Sequence, residues 1–274
     1  MSGVARNTGF YIAGLALAVF LIGPFAWMVL TAVKTPDEVF RDPPTWWPHA
    51  PSARNFAAVL DGDFASSLLN SALVCAGTAV VCTLLALLAG YPLSRTRLRG
   101  GPQVLGAALV SQLVPQAVLL LPIYELARDL GLLNTRHGLV LAMLAVNLPV
   151  AVWLLRGFLA GAPIEVEEAA QLDGLTQARA YWRVTVPLAR NGVLSVAVYV
   201  FFMSWQDFIF SMIFLTGPEQ QTAPLWLLGF IGQHSVDWGL LMAASTVMMV
   251  PVILLFAVVQ RSFVGNMTGG ATKG

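Results

Sequence analysis

Six long apolar runs constrain this chain more than any other feature of its sequence. A helix needs roughly 20 apolar residues to cross a hydrocarbon core about 30 Å thick. The runs have that length and few charges, and they lie at about 9–33, 68–93, 104–126, 139–158, 193–216 and 239–259. With 57% of its residues hydrophobic and only 11% charged, the chain falls outside the usual composition of soluble proteins. The sequence predicts an all-α integral membrane protein with six transmembrane helices, forming a single domain over 1–274.

The distribution of Lys and Arg predicts how these helices are oriented. Six crossings place both termini on one side of the bilayer, and ten of the 15 basic residues fall on that side. Arg95, Arg97 and Arg99 close the second run, whereas the stretch 217–238 contains neither Lys nor Arg. Because Lys and Arg are enriched in cytoplasmic loops, we expect both termini in the cytoplasm. A net charge of +1 gives no basic field that would favour nucleic acid.

The loop at 161–190, between the fourth and fifth runs, is then cytoplasmic. Pro163 suits a first helical turn, the acidic stretch that follows complements the positive end of a helix dipole, and Gly174 supplies a left-handed stop. A second helix is expected at about 176–186, before Pro187 turns the chain into the next run. The loop is predicted to be two short helices joined at a glycine.

The first of these helices needs a surface to hold it, because about three turns of helix are not stable alone in water. It could lie against the bilayer as an amphipathic loop helix, or it could dock into a partner. Ala169 and Ala170 give it a thin face that another surface can approach closely. Its acidic side does not suit an anionic inner leaflet, where interfacial helices are rich in Lys and Arg, and this favours a protein partner.

Several motifs in this loop and beyond it carry a resemblance to a known family. Glu168-Ala169-Ala170, Asp173-Gly174 and Pro187-Leu188 resemble the EAA signature of the membrane subunits of binding-protein-dependent ABC importers, most closely the maltose-type carbohydrate-uptake permeases. The resemblance covers nearly the whole chain, with further landmarks at Asn70-Ser71, 91–95, 121–124, 130–135, Pro149, Trp153, Trp205-Gln206-Asp207 and the tail 270–274. The chain departs from the family pattern at Leu175, Asn191, Gln206, Gly265 and Asn266.

The resemblance implies a permease subunit of an ATP-driven importer that moves a sugar or oligosaccharide into the cytoplasm. The loop helix would be a coupling helix seated in a cleft of a separate ATPase subunit, with coupling residues Glu168, Ala169, Ala170, Asp173 and Gly174. The implied partners are a second homologous permease, two nucleotide-binding ATPase subunits and an extracytoplasmic solute-binding protein. The implied location is a bacterial-type plasma (inner) membrane. ATP and Mg would be bound by the ATPase subunit and no cofactor by this chain.

The motifs of several enzyme and metal-site classes are absent from the sequence. There is no G-x-x-x-x-G-K-[ST], H-E-x-x-H or G-x-S-x-G. His49, His137 and His234 lack metal-ligand spacing, and Cys75 and Cys82 lie within one apolar run, where they are expected to pack as small hydrophobic side chains. We therefore expect no catalytic residue and no metal site, and a transport subunit instead of an enzyme.

Polar side chains within the apolar runs are the candidates for a substrate path, because polar groups are costly inside a membrane. The candidates are Gln112, Gln116, Tyr124, Asn147, Trp205, Gln206 and Asp207. Pro115, Pro122 and Pro149 interrupt the same runs, and such breaks are tolerated where the backbone lines a cavity. Each polar residue could equally hydrogen-bond between helices, and Trp205 could be a stacking platform for a sugar ring or an interfacial anchor.

Three other functions remain as alternatives. The same architecture could import glycerol phosphate or a glycerophosphodiester, although the runs contain no basic cluster for an anion. A self-sufficient secondary transporter would need an ion or proton relay within the membrane, and Glu125 and Asp207 alone make a poor one. A membrane enzyme would need a nucleophile and base that the polar residues do not provide.

Overall fold

The protein is helical along most of the chain that a computed structural model describes, which is residues 2–96, 99–231 and 236–270. In these residues the α-helices, in chain order, are α1 (Ser2–Ala32), α2 (Pro36–Val39), α3 (Arg54–Leu60), α4 (Phe64–Arg95), α5 (Gly101–Val110), α6 (Gln116–Asp129), α7 (Arg136–Ala160), α8 (Ile164–Leu172), α9 (Gln177–Ala180), α10 (Val186–Leu188), α11 (Arg190–Trp205), α12 (Ile209–Phe214), α13 (Ala223–Leu227) and α14 (Trp238–Gly270). A π-helical turn, Tyr181–Thr185, joins α9 to α10. The predicted all-α class is confirmed. Arg97, His234 and the tail 271–274, which carried parts of the predictions above, lie outside the described residues.

Four helices in the described residues are long and apolar enough to cross a membrane. They are Phe10–Ala32, Phe64–Arg95, Arg136–Ala160 and Trp238–Ala257. Two bent pairs of helices also qualify: Gly101–Leu113 with Gln116–Asp129, at 105°, and Gln177–Leu188 with Arg190–Trp205, at 77°. The count of six crossings stays a prediction, since it requires each bent pair to cross the bilayer once.

The third apolar run differs from the continuous helix expected over 104–126. After α5 a single 3₁₀ turn follows, and Val114 then takes an extended conformation with ψ at 124°. Pro115 explains the break, because proline lacks the N–H that would continue the helix and pushes the preceding residue out of the α region. By contrast, α7 continues through Pro149.

The fifth apolar run, expected over 193–216, is also two helices. It starts three residues earlier than expected, at Arg190, and α11 ends at Trp205. The chain resumes a helix at α12, where the carboxylate of Asp207 accepts hydrogen bonds from the backbone N–H groups of Phe210 (3.5 Å) and Ser211 (3.0 Å). Asp207 thereby satisfies N–H groups that a helix leaves unpaired at its start.

The chain divides into two compact units. One consists of Met1–Ser66 and Trp226–Pro251, and the other of Ser67–Leu225 and Val252–Gly274. The second unit contains the predicted coupling loop and every substrate-path candidate. In its core α7 packs against α5, α11 and α12, and the fully buried side chains there include Leu155, Leu159, Val196 and Val200. That the whole chain forms a single domain stays a prediction.

Close packing of α11 against α7 depends on Gly192. A Cβ atom placed on Gly192 would lie 2.2 Å from Cγ and 2.5 Å from Cβ of Phe158, well inside van der Waals contact. Because the Cβ of Phe158 is fixed to its backbone, rotation of the ring cannot relieve this overlap. The helices can approach this closely only with glycine at 192.

We predict that Gly192→Ala destabilises the protein by about 1–3 kcal/mol, the usual cost of overpacking a tight contact. Gly157→Ala is the matched control, because a Cβ on Gly157 of α7 meets no atom within 4 Å and alanine favours a helix. Thermal unfolding of the purified chain in detergent measures both variants. Equal midpoints for the two variants would contradict the packing argument.

Candidate functional site

The predicted coupling loop forms a short helix with a glycine end. Helix α8 follows Pro163 and ends at Asp173. Gly174 has φ at +96°, its N–H donates to the carbonyl of Gln171 (3.0 Å), and the N–H of Leu175 donates to the carbonyl of Ala170 (3.1 Å). This pair of bonds is the Schellman motif, whose left-handed residue is usually glycine. The left-handed stop expected at Gly174 is therefore present in the structure.

Glu167 fastens α8 to the end of α4. Its Oε2 accepts hydrogen bonds from Nε of Arg95 (3.1 Å) and Oγ1 of Thr185 (2.8 Å), and its Oε1 accepts one from the hydroxyl of Tyr91. The side chains of Arg95 and Glu167 are only 7% and 3% exposed. Charge-assisted hydrogen bonds are among the stronger ones, and here three of them converge on one carboxylate. We call Tyr91, Arg95, Glu167 and Thr185 the Glu167 clamp.

Further contacts extend this attachment on either side of the Glu167 clamp. Arg95 also donates from a terminal guanidinium nitrogen to the carbonyl of Ala162 (3.0 Å), just before α8 begins. The hydroxyl of Tyr181, in the π-helical turn, donates to the carbonyl of Leu87 in α4 (2.8 Å). The rings of Tyr91 and Tyr181 lie 4.1 Å apart between centroids. The loop is thus tied to α4 at both of its helical segments.

The opposite side of α8 is uncovered. Glu168, Ala169, Asp173 and Gly174 are exposed and Ala170 is half-buried. Leu172, at the end of the helix, is 90% exposed. The five predicted coupling residues thus lie together on or beside one accessible surface, which we call the α8 surface. Leu172 therefore adds exposed apolar area to the acidic and small residues of the α8 surface.

Sequence reasoning did not find the role of Glu167. It noted the acidic stretch at the start of α8 but chose Glu168 as the functional glutamate. Adjacent residues in a helix point about 100° apart, so only one of the two can face α4. The Tyr91 and Arg95 spacing of four residues, which places both on one face of α4, was the available signal for an acidic partner.

A second candidate site is a cavity of about 400 Å³ between α6, α7 and α11. Its lining includes five of the seven predicted substrate-path residues: Gln112, Gln116, Asn147, Gln206 and Asp207. Gln112 and Gln116 flank the break at Pro115, while Gln206 and Asp207 follow the end of α11. Two helix breaks that are distant in sequence thus open onto the same space.

The polar groups of this cavity are unevenly satisfied. Asp207 is engaged at the start of α12, and Nδ2 of Asn147 donates to the carbonyl of Met143 in its own helix (2.9 Å). Ser204, which is 3% exposed, also lines the cavity, and its Oγ has no hydrogen-bond partner in the described part of the chain. A buried hydroxyl without a partner is costly, and a ligand hydroxyl or water in the cavity would satisfy it. Sequence reasoning did not single out Ser204, because serine is common in membrane helices.

Two of the predicted path residues lie elsewhere. Tyr124 is half-buried, two turns beyond Gln116 on α6, and does not line the cavity. Trp205 is 5% exposed and stacks on Phe201, with ring centroids 5.5 Å apart and planes at 16°. Its indole face is therefore occupied by a neighbour in the same helix. Within the described residues, no group of three His, Cys, Asp or Glu side chains could hold a metal ion.

Comparison with known proteins identifies the family. The family described as binding-protein-dependent transport system inner membrane component matches residues 7–268. The chain belongs to this family. Its membrane helices are therefore those of a transport system's membrane component, a permease.

Curated relatives of this permease cover it almost end to end. It is 33% identical over 264 residues to the diacetylchitobiose uptake system permease protein of Streptomyces coelicolor, covering 96% of each chain. It is 32% identical to the sulfoquinovosyl glycerol transport system permease protein of Agrobacterium fabrum, covering 96% of this chain and 93% of the relative. It is 30% identical to the trehalose transport system permease protein of Mycobacterium tuberculosis, covering 99% of this chain and all of the relative.

A solved structure shares the fold of the permease. It comes from a crystal structure of a bacterial ABC transporter involved in the import of the acidic polysaccharide alginate, and one of its chains matches with a TM-score of 0.79 at 21% identity. The match covers 93% of this chain and 96% of the other. At this identity the likeness establishes the fold and nothing about the solute.

We predict that Glu167→Ala destabilises the permease by about 3–5 kcal/mol, because it leaves the buried guanidinium of Arg95 without its counter-charge. The neighbouring Glu168→Ala is the control and should change stability by no more than about 0.5 kcal/mol, since that side chain is exposed. Thermal unfolding in detergent distinguishes the two. The Glu167 clamp is refuted if both variants unfold at the temperature of the unmodified protein.

Proposed function

We propose that this chain is one of two permease subunits of an ATP-driven importer that moves a neutral carbohydrate into the cytoplasm. The observation that carries the proposal is the α8 surface: an accessible patch on a helix that the Glu167 clamp holds rigidly to a long apolar helix. A patch held in this way can transmit the movement of a docked protein to α4. A loosely attached loop helix would absorb that movement.

The partner at the α8 surface is, in this proposal, an ATPase subunit. ATP and Mg are bound there, and closure of two such subunits around nucleotide displaces α8 on this chain and its counterpart on a homologous second permease. An extracytoplasmic binding protein delivers the solute. Both termini and α8 lie on the cytoplasmic side of a bacterial-type inner membrane, in agreement with the excess of Lys and Arg on that side.

The cavity supports a neutral polyhydroxylated solute. Its lining offers amide, hydroxyl and carboxylate groups, and none of its lining residues is Lys or Arg. An anionic solute would meet the carboxylate of Asp207 without a compensating positive charge. The named solutes of the relatives, diacetylchitobiose and trehalose among them, also favour a carbohydrate. A glycerol phosphate or glycerophosphodiester is accordingly disfavoured for this chain.

The first test is to tag the chain, purify it from its native membrane in mild detergent and identify what accompanies it. We expect an ATPase subunit and a second permease to copurify. If the chain purifies alone and moves solute in liposomes without ATP, the proposal is overturned in favour of a secondary transporter.

We predict that Gly174→Val abolishes solute uptake while the chain still inserts in the membrane. A β-branched residue at φ near +96° is strained, so the turn after α8 would change direction and displace Asp173. Gly174→Asn is the control, since asparagine tolerates the left-handed conformation, and it should retain most of the uptake. Normal uptake by the valine variant would remove the coupling role from this turn.

For the cavity, we predict that Ser204→Ala weakens solute-stimulated ATP hydrolysis by the purified complex without lowering its stability. The hydroxyl has no partner to lose among the described residues, so its removal relieves a desolvation cost in the empty cavity. The apparent solute affinity should fall by about 5–30-fold, equivalent to one hydrogen bond of about 1–2 kcal/mol. Ser195→Ala, whose hydroxyl is bonded to the carbonyl of Asn191 within its own helix, is the control and should leave that affinity unchanged.

A further inference from the structure

The segment that follows α1 is a loop held in place by buried charged side chains. Residues 34–52 contain only one turn of helix, α2, yet Lys34 and Glu38 within them are almost fully buried. Neither residue belongs to the α8 surface or to the cavity. Burial of a charged group is costly unless it is paired and hydrogen-bonded, so the partners of Lys34 and Glu38 indicate what this loop is built to do.

Glu38 and Lys34 hold the two halves of this loop together. Oε1 of Glu38 accepts hydrogen bonds from the backbone N–H of His49 (2.9 Å) and from Oγ1 of Thr45 (3.0 Å). Nζ of Lys34 donates to the carbonyl of Thr45 (2.5 Å). The bond from His49 is the main reason that the pKa of Glu38 lies below its usual value, and Lys34 and His49 add a favourable charge interaction. The segment 45–49 is thereby pulled back toward the end of α1.

This arrangement presents three large aromatic side chains to the outside. Phe40, Trp46 and Trp47 are 69%, 76% and 74% exposed, respectively. We call them the aromatic tip. Singly exposed apolar residues are ordinary on any protein, but three exposed aromatic side chains on one short loop, two of them consecutive, expose enough apolar area to indicate an interaction site.

The position of the aromatic tip along α1 identifies that partner. The ring of Trp46 packs edge-on against Trp27, with centroids 5.5 Å apart, and Nζ of Lys34 lies 4.4 Å from the centroid of Trp27. Trp27 is within the span Phe10–Ala32, five residues before its end, which is about 7.5 Å at 1.5 Å per residue. Trp46 therefore packs beside the last two turns of the span, which a bilayer-crossing α1 would place near the boundary between the hydrocarbon core and the lipid headgroups.

We propose that the aromatic tip is a lipid-interface anchor, in which Phe40, Trp46 and Trp47 insert into the headgroup boundary of the bilayer beside the end of α1. Tryptophan is enriched at this depth because its ring is apolar while its N–H can still reach water or headgroups. The aromatic tip is continuous with the span Phe10–Ala32. None of the most apolar 18 residues of that span is buried against the rest of the chain. The anchor fixes the depth of α1, and the Lys34–Thr45–Glu38 bonds make the loop stiff enough to do so.

A fluorescence experiment on the full-length chain in phosphatidylcholine nanodiscs tests the anchor. The emission of Trp47 is obtained as the difference between the unmodified protein and Trp47→Phe, which keeps an aromatic ring at that place. Two quenchers are compared: phosphatidylcholine brominated near the carbonyl end of its acyl chains, and aqueous iodide. We expect the brominated lipid to remove the Trp47 emission and iodide to leave most of it.

Greater quenching by iodide than by brominated lipid would overturn the proposal, and would assign the aromatic tip to a water-facing contact such as a solute-binding protein. Leu172→Trp in a Trp47→Phe background provides the water-exposed reference, since position 172 is 90% exposed and lies outside every apolar span. A second variant, Glu38→Ala, removes the acceptor of the bonds from Thr45 and His49 and so releases the loop without altering an aromatic residue. We expect this variant to reduce the difference between the quenching of Trp47 emission by brominated lipid and by iodide.

Discussion

The carboxylate of Glu167 is the interaction on which the proposed mechanism depends. It accepts three hydrogen bonds from side chains of α4 and of the turn that leads back to α11, in a place from which water is nearly excluded. A buried ion pair of this kind contributes less to stability than its Coulomb energy suggests, since both charges lose their hydration. Its effect is to fix geometry: α8 can have one position relative to α4, and a displacement of one becomes a displacement of the other.

The same unit combines this rigid attachment with breaks in its membrane helices. Pro115 separates α5 from α6, and the chain after Trp205 stops and restarts at α12 with Asp207 as its cap. Both breaks face the cavity that contains Ser204 and the amide side chains. Backbone that leaves the helical conformation inside a membrane needs other partners for its polar groups, and water entering a cavity beside the break would provide them. The cavity is therefore what allows the two helices to break inside the membrane.

Much of this could be predicted from sequence. The apolar runs predicted the spans Phe10–Ala32, Phe64–Arg95, Arg136–Ala160 and Trp238–Ala257 within a few residues, because a span's length follows from the thickness of the bilayer. The helix–glycine–helix form of the loop followed from Pro163 and Gly174, whose backbone preferences are local. Five of the seven residues chosen from the cost of polar groups in apolar runs line one cavity, and their role in a substrate path stays a prediction. Trp205 shows the limit of that approach, since its stacking on Phe201 depends on rotamers that no pattern encodes.

The sequence by itself determined the class of the protein, four of its long apolar helices, the presence of a loop helix and the family to which it belongs. These depend on composition, spacing and local conformation, which are properties of short stretches of chain. Only the tertiary structure decided that Glu167, not Glu168, holds the loop, that residues 112, 147 and 207 share one cavity, and that Trp46 folds back beside Trp27. Those outcomes depend on which faces of distant helices meet, and side-chain contacts across tens of residues are set by packing of the whole chain.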